Sequence, residues 1–214
     1  MTVHDLEAKL RAYGGCMRTC EYDGEPSVEP RSHPWTDSVA SSASRYWDLK
    51  ASPALIRTAL EDFLPFGHQP AIARFYTLLE RLNAPASTLE TNDCAFTGPH
   101  ANEAPAMNKR LQCEGRVMIL FRELGLNRSR RRVAELKDGL HLYLETLDRD
   151  LVWGMIGTTI YPVRYVTLPV APDQQLGQQL MISFWAWGDS EVELMRNLER
   201  VVRNLAQALE HVDA

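Results

Sequence analysis

No stretch of this sequence approaches the roughly 18 consecutive apolar residues that a membrane-spanning helix requires. Cysteine is scarce, four in 214 residues, too few to staple a chain of this length. The expectation is free thiols in a reducing cytoplasm. Basic charge is not in excess either, since 23 Lys and Arg stand against 28 Asp and Glu for a net charge of −5. That argues against a nucleic-acid binder, whose phosphate contacts need a basic face. A P-loop, a Gly-x-Gly-x-x-Gly turn, His-Glu-x-x-His, Gly-x-Ser-x-Gly and a paired Cys-x-x-Cys set are all missing, which sets aside nucleotide-fold and zinc-protease chemistry. The first residues, Met1 to Gly15, are amphipathic and carry acid, unlike a signal peptide. What is present is 45% hydrophobic residues, enough for a sizeable core.

Val3, Leu6, Leu10 and Tyr13 recur at helical spacing before Gly14 and Gly15 stop the pattern. Between Glu21 and Arg45 lie Pro26, Pro30, Pro34 and six serines with few aliphatics, the composition of a tether or of an arm ordered by a partner. Ser52 and Pro53 open a helix with Ile56, Leu60, Phe63 and Leu64 on one face. Pro70 opens a second, striped by Ile72, Phe75, Tyr76, Leu79 and Leu82 and closed at Asn83. The spacing predicts an N-terminal helix and arm over 1–50, a helical hairpin over 51–87 and a core over 88–214 that splits into 88–148 and 149–214.

Each half of that core reads strand, strand, helix. Val117 to Gly125 matches Leu180 to Gly188 at an offset of 63, through a shared Met-Ile-x-Phe. In the helices that follow, Val133, Leu136, Leu140, Tyr143 and Leu147 fall on Met195, Leu198, Val202, Leu205 and Leu209 at an offset of 62. The expected fold class is α+β: a duplicated strand–strand–helix core, a permuted ferredoxin-like antiparallel sheet with both helices on one face. Alternation puts Val117, Ile119, Phe121, Leu180, Ile182 and Phe184 toward the helices. The other face then carries Met118, Leu120, Arg122, Met181, Ser183, Trp185 and Trp187, too apolar to lie open in water. The hairpin, a second subunit or a ligand is expected to cover it.

Asn92 to Glu103 is the densest run of reactive residue types. Asp93, His100 and Glu103 are candidates for acid–base work, and Cys94 for a soft metal ligand or nucleophile. The plain alternative makes Cys94 a core residue, Gly98-Pro99 a turn and His100 a solvent-facing loop residue. Cys16 and Cys20, spaced Cys-x-x-x-Cys, read as ordinary thiols rather than zinc ligands. Arg128, Arg130, Arg131 and Arg132 crowd a helix start, where the helix dipole favours acid. The matching site in the second half holds Asp189, Glu191 and Glu193. The four arginines are therefore a candidate surface for an acidic partner, with Trp187 at a strand end as a partner or dimer contact. The bland reading is a solvated face in an arginine-rich chain. Trp185, with Arg122, Tyr161 and Arg164, suits a planar or carboxylate-bearing ligand such as haem or an amino acid.

From Asn92 onward the order of pieces resembles the YqcI/YcgG family. The residues that carry the likeness are the Cys94-Ala-Phe96 motif, the strand Met118 to Glu123, a Trp-led hairpin from Trp153 to Leu168 with Gly157 and Tyr161-Pro162, and Met181 to Phe184. The family includes haem-dependent enzymes that N-hydroxylate amino acids. The resemblance implies a haem oxygenase acting on an amino acid, with Cys94 or His100 near the iron, Trp185 against the cofactor and Arg122 or Arg164 on a carboxylate. The spacing after Cys94 is shorter than the family's, and Pro169 to Gln179 holds neither the histidine nor the arginines associated with it. The other function expected is a non-catalytic protein that grips an acidic partner, or its own copy, through Trp and Arg.

Overall fold

The computed structural model describes residues 48–103, 107–148, 150–165 and 175–213, and the backbone alone at 19–21 and 31–33. Strands β3 (Leu89–Ala101), β4 (Leu111–Phe121), β5 (Gly154–Tyr165) and β6 (Leu176–Gly188) form an antiparallel sheet in the order β3-β4-β6-β5. Two three-residue strands, β1 (Thr19–Glu21) and β2 (Arg31–His33), pair in parallel with β5. The expected tether over 21–45 thus contributes strand residues at two places. The helix expected over 3–13, and Cys16, lie outside the described residues.

Among the described residues, three α-helices complete an α+β fold: α1 (Pro70–Leu82), α2 (Arg130–Leu144) and α3 (Glu191–Val212). Ser190 caps α3 by accepting from the Glu193 amide, and the Glu193 carboxylate takes the Asp189 amide in return. Ser129 caps α2 in the same way, through the Arg132 amide. The segment before α1 departs from the expected helix. Pro53–Arg57 and Leu64–Phe66 are short 3₁₀ turns, and Ser52 makes no side-chain cap.

The strand–strand–helix order appears twice, and the two units meet along β4 and β6, where Met118 faces Met181. Val117, Ile119, Leu180, Ile182 and Phe184 share one core with the buried faces of all three helices, as alternation predicts. That core runs from Leu49 to Leu209 and includes Ile56, Phe63, Phe75 and Leu79. The segment 51–87 is therefore no cover for the opposite face: α1 packs beside α3 on the helix side. Opposite, Leu120, Val163 and Tyr165 form a separate buried cluster. Among the described residues, no helix is long and apolar enough to cross a membrane.

Candidate functional site

Strand register lays the helix-free face out in rows. Glu114 pairs with Trp185, Arg116 with Ser183, and Met118 with Met181. On the outer side, β3 sets Thr97 beside Glu114, Ala95 beside Arg116 and Asp93 beside Met118. All of these residues except Asp93 line a cleft of about 300 Å³ that Tyr161 borders from β5. Met118 and Met181 give it a soft, adaptable apolar floor.

The charged groups over that floor are held by neighbours. Trp185 Nε1 donates to Glu114 Oε2 at 2.9 Å, which leaves the other carboxylate oxygen for a ligand. Arg116 Nε donates to Asp93 Oδ2 at 3.2 Å, and the guanidinium pairs with the same oxygen through Nη2 at 3.2 Å. Glu114 and Arg116 sit two apart on β4, about 6.8 Å along the strand, on the same face. An acid and a base thus stand side by side, each with its direction fixed. The glycine between them is dictated by the other face: a Cβ on Gly115 would sit 2.3 Å from Phe184 Cζ.

Of the residues expected to act, Asp93, Tyr161 and Trp185 come together here. Cys94 does not. It pairs with Val117 and packs with the helix-side core, on the opposite face from Trp185. Burial pushes its thiol well above the usual range, with the nearby Asp93 carboxylate adding to the effect. Cys113 is buried on the same side and is pushed up to about 12. Gly98 and Pro99 are not a turn; they lie inside β3 at a register shift between Thr97 and His100. The reason is packing, because the Phe66 ring occupies the space a Cβ on Gly98 would need. Pro99 is tolerated because β3 is an edge strand.

His100 is consumed by this strand. Its Nδ1 lies 2.8 Å from the Gly98 carbonyl, to which it must donate, and its Nε2 accepts from the Gln112 amide at 2.9 Å. With both ring nitrogens of His100 engaged and Cys94 on the far face, neither of these two residues is presented as an axial ligand for haem. Glu103 is exposed beyond the end of β3. Arg122 anchors main chain, donating to the Ala84 carbonyl at 2.8 Å and to Leu82 and Leu89 at longer range. Arg164 is exposed on β5. His141 on α2 is half-buried, with Nε2 at 2.6 Å from Thr158 Oγ1. Among the described residues, no group of three or more His, Cys, Asp or Glu is placed to hold a metal.

The surface expected to meet a partner is divided. Arg128, Arg130, Arg131 and Arg132 are all exposed, but Arg131 and Arg132 both pair with Glu135. Trp187 offers nothing to a partner: it is 0% exposed, its amide donates to the Trp153 carbonyl and its own carbonyl accepts from Asn197. The acids that start α3 have an internal role. Lys109 reaches Asp189 at 2.7 Å and Glu193 at 2.8 Å, lowering both carboxyls below their ordinary range.

Sequence reasoning missed Glu114 and Arg116. Their signal was present, as two charges alternating on a strand whose next outward residues are Met118 and Leu120. Compared with known proteins, the chain matches no family model, no curated protein and no solved structure.

Proposed function

We propose that this protein binds a small zwitterion of amino-acid size in the cleft on the helix-free face of the sheet. Arg116 holds the ligand's carboxylate and Glu114 its ammonium group, while the apolar remainder lies on Met118 and Met181 under Trp185. The observation that carries this reading is the pair of opposite charges two residues apart on β4, each braced from a neighbouring strand, by Asp93 and by Trp185. Its volume sits at the small end of ligand sites. Charge-assisted hydrogen bonds in a partly water-excluded cleft are the strong kind, and two of opposite sign select a zwitterion over a simple acid or amine.

Chemistry beyond binding has few protic groups to work with. Beyond the Glu114 carboxylate and the Arg116 guanidinium, the described lining offers the hydroxyls of Thr97, Tyr161 and Ser183, with no imidazole and no thiol. Recognition of the ligand is therefore the function the geometry supports best.

Titration calorimetry of the full chain against a panel of L-amino acids and their decarboxylated or deaminated analogues tests this. The zwitterions should bind, the analogues should bind at least about tenfold more weakly, and Arg116→Met should abolish the difference between an amino acid and its amine. No heat with any amino acid at millimolar concentration would overturn the reading, as would binding indifferent to both Arg116→Met and Glu114→Gln.

A further inference from the structure

A second depression lies on the helix side of the sheet, away from the cleft. It is a groove of about 710 Å³ between α2 and the last turn of α3, with Phe121, Leu126, Leu136, Leu142 and Val212 among its lining. The lining residues Arg132, Glu135, Gly139, Leu142 and Thr146 recur along α2 at alternating steps of three and four. That is the spacing of a helix face that meets another helix. Leu142 stands out on this face at 71% exposed. Behind it the rings of Tyr143 and His211 stack at 4.2 Å and join α2 to the end of α3.

Gly139 sits in the middle of this face and of the helix, where glycine is a poor choice relative to alanine. The chain's own packing does not require it. A Cβ there would first meet Val212 Cγ1 at 3.4 Å, an ordinary contact, whereas on Gly98 or Gly115 it would strike an aromatic ring. What Gly139 leaves is a notch on the outer surface, the feature that lets a second helix approach closely. Charge along α2 says which helix. Its start holds Arg128, Arg130, Arg131 and Arg132 against Glu135, while the residues after Leu144 include Glu145, Asp148, Arg149 and Asp150. Asp148 is taken by Arg200 and Arg203, and Glu145 and Asp150 are exposed. A face with a basic start and an acidic end complements itself when reversed. A purely acidic helix would instead meet Glu135 and Glu145 as like charges.

We propose that two copies of this chain pair through this groove, α2 against α2 and antiparallel, about a twofold axis at Gly139. The axis sets Leu142 of each copy opposite Leu136 of the other, so the exposed leucine enters the second copy's groove beside the notch. Such self-complementarity is what an isologous interface demands. Arg131 and Glu145 lie about four turns apart on one flank of α2. The twofold axis brings each of them to within about 3 Å, measured along the helix, of the height of the other on the second copy, and it does so twice. Asp138, the acid nearest the axis, is already paired with Lys137 at 3.4 Å. Because α2 packs on the helix side, the cleft on the opposite face stays open in the dimer. An interface built on one helix and one groove is small, so the dimer exchanges with monomer rather than persisting on dilution.

Sedimentation velocity on the full chain, from micromolar to millimolar concentration, tests this. The sedimentation coefficient should climb from the monomer toward the dimer value. Leu142→Glu changes a side chain that is 71% exposed, so the thermal unfolding profile at low concentration should persist while the dimer is lost. Arg131→Glu and Glu145→Arg should each weaken the dimer by about tenfold, since the pair occurs twice across the axis. The two reversals combined should restore it. A chain that stays monomeric at every concentration would overturn the proposal. So would a dimer indifferent to Leu142→Glu, which would place the contact elsewhere on the molecule. A double reversal that dimerises no better than either single one would refute the antiparallel pairing. The concentration series and the charge exchange decide the matter even if Leu142→Glu does not fold.

Discussion

Trp185 and Glu114 face each other across β6 and β4, and the indole Nε1 donates to the carboxylate at 2.9 Å. The bond ties a fluorescent ring to the acid that is proposed to take the ligand's ammonium group. Glu114→Gln preserves an oxygen that can accept from the indole, so the fold should survive with a shift of under about 1 kcal/mol in denaturant unfolding. Binding of an amino acid should weaken by about tenfold or more, because the amide no longer offers a charge.

Gly115 lies on β4 between the two charged residues of the cleft, but what forbids a side chain there is Phe184 on the other face. A Cβ would sit 2.3 Å from the ring. Gly115→Ala should cost about 1–3 kcal/mol through overpacking, read from urea unfolding. An unchanged midpoint would mean that the Phe184 ring has room to move aside.

Trp187 is buried in its own chain. Trp187→Ala should therefore cost about 3–5 kcal/mol, and the loss should be independent of protein concentration. If dilution alone reproduced the effect, Trp187 would be an interface residue after all.

Thiol chemistry follows from burial. Cys94 and Cys113 are both held above their ordinary pKa, mainly by desolvation. At pH 8 both remain thiols, so iodoacetamide should label neither in the native protein and both after unfolding. Peptide mapping by mass spectrometry reads this position by position. Rapid native labelling of Cys94 would contradict its place against the helices.

Asp148 gathers Arg200, at 2.6 and 2.9 Å, and Arg203, at 2.9 Å, and so ties the residues after α2 to α3. The arginine hydrogen bonds hold its carboxyl below its ordinary value of 3.8. A lowered folded pKa means that the unfolded chain takes up the proton first. The stabilisation is complete above pH 3.8 and is lost as pH falls through the lower, folded value. Asp148→Asn should cost about 1–2 kcal/mol at pH 6, and the gap between the two proteins should close as the pH falls below that range.

Much of this fold was legible because hydrophobic alternation is a strong signal. Val117 and Ile119 against Met118 and Leu120 assign the two faces of β4 without any knowledge of its neighbours. The site was less legible, since it depends on register between strands that are far apart in sequence. Asp93 and Arg116 meet because β3 is shifted by one residue at Asn92, and no local pattern announces that shift. Gly98-Pro99 has the composition of a turn, yet the Phe66 ring above Gly98 and the edge position of β3 make it part of a strand. His100 looked available until the same irregular strand brought it to Gly98 and Gln112. The stretch before α1 carries a helical stripe from Ile56 to Leu64, but Pro65 follows it directly and the chain forms 3₁₀ turns at Pro53–Arg57 and Leu64–Phe66.

The most direct test follows the indole N–H resonances of the five tryptophans in a ¹⁵N-correlation NMR spectrum while an L-amino acid from the calorimetry panel is added. The Trp185 resonance, assigned by loss in Trp185→Phe, should shift progressively and saturate, while that of buried Trp187 stays in place. Saturable shifts confined to other tryptophans, with Trp185 unmoved, would contradict a ligand site on the helix-free face of the sheet.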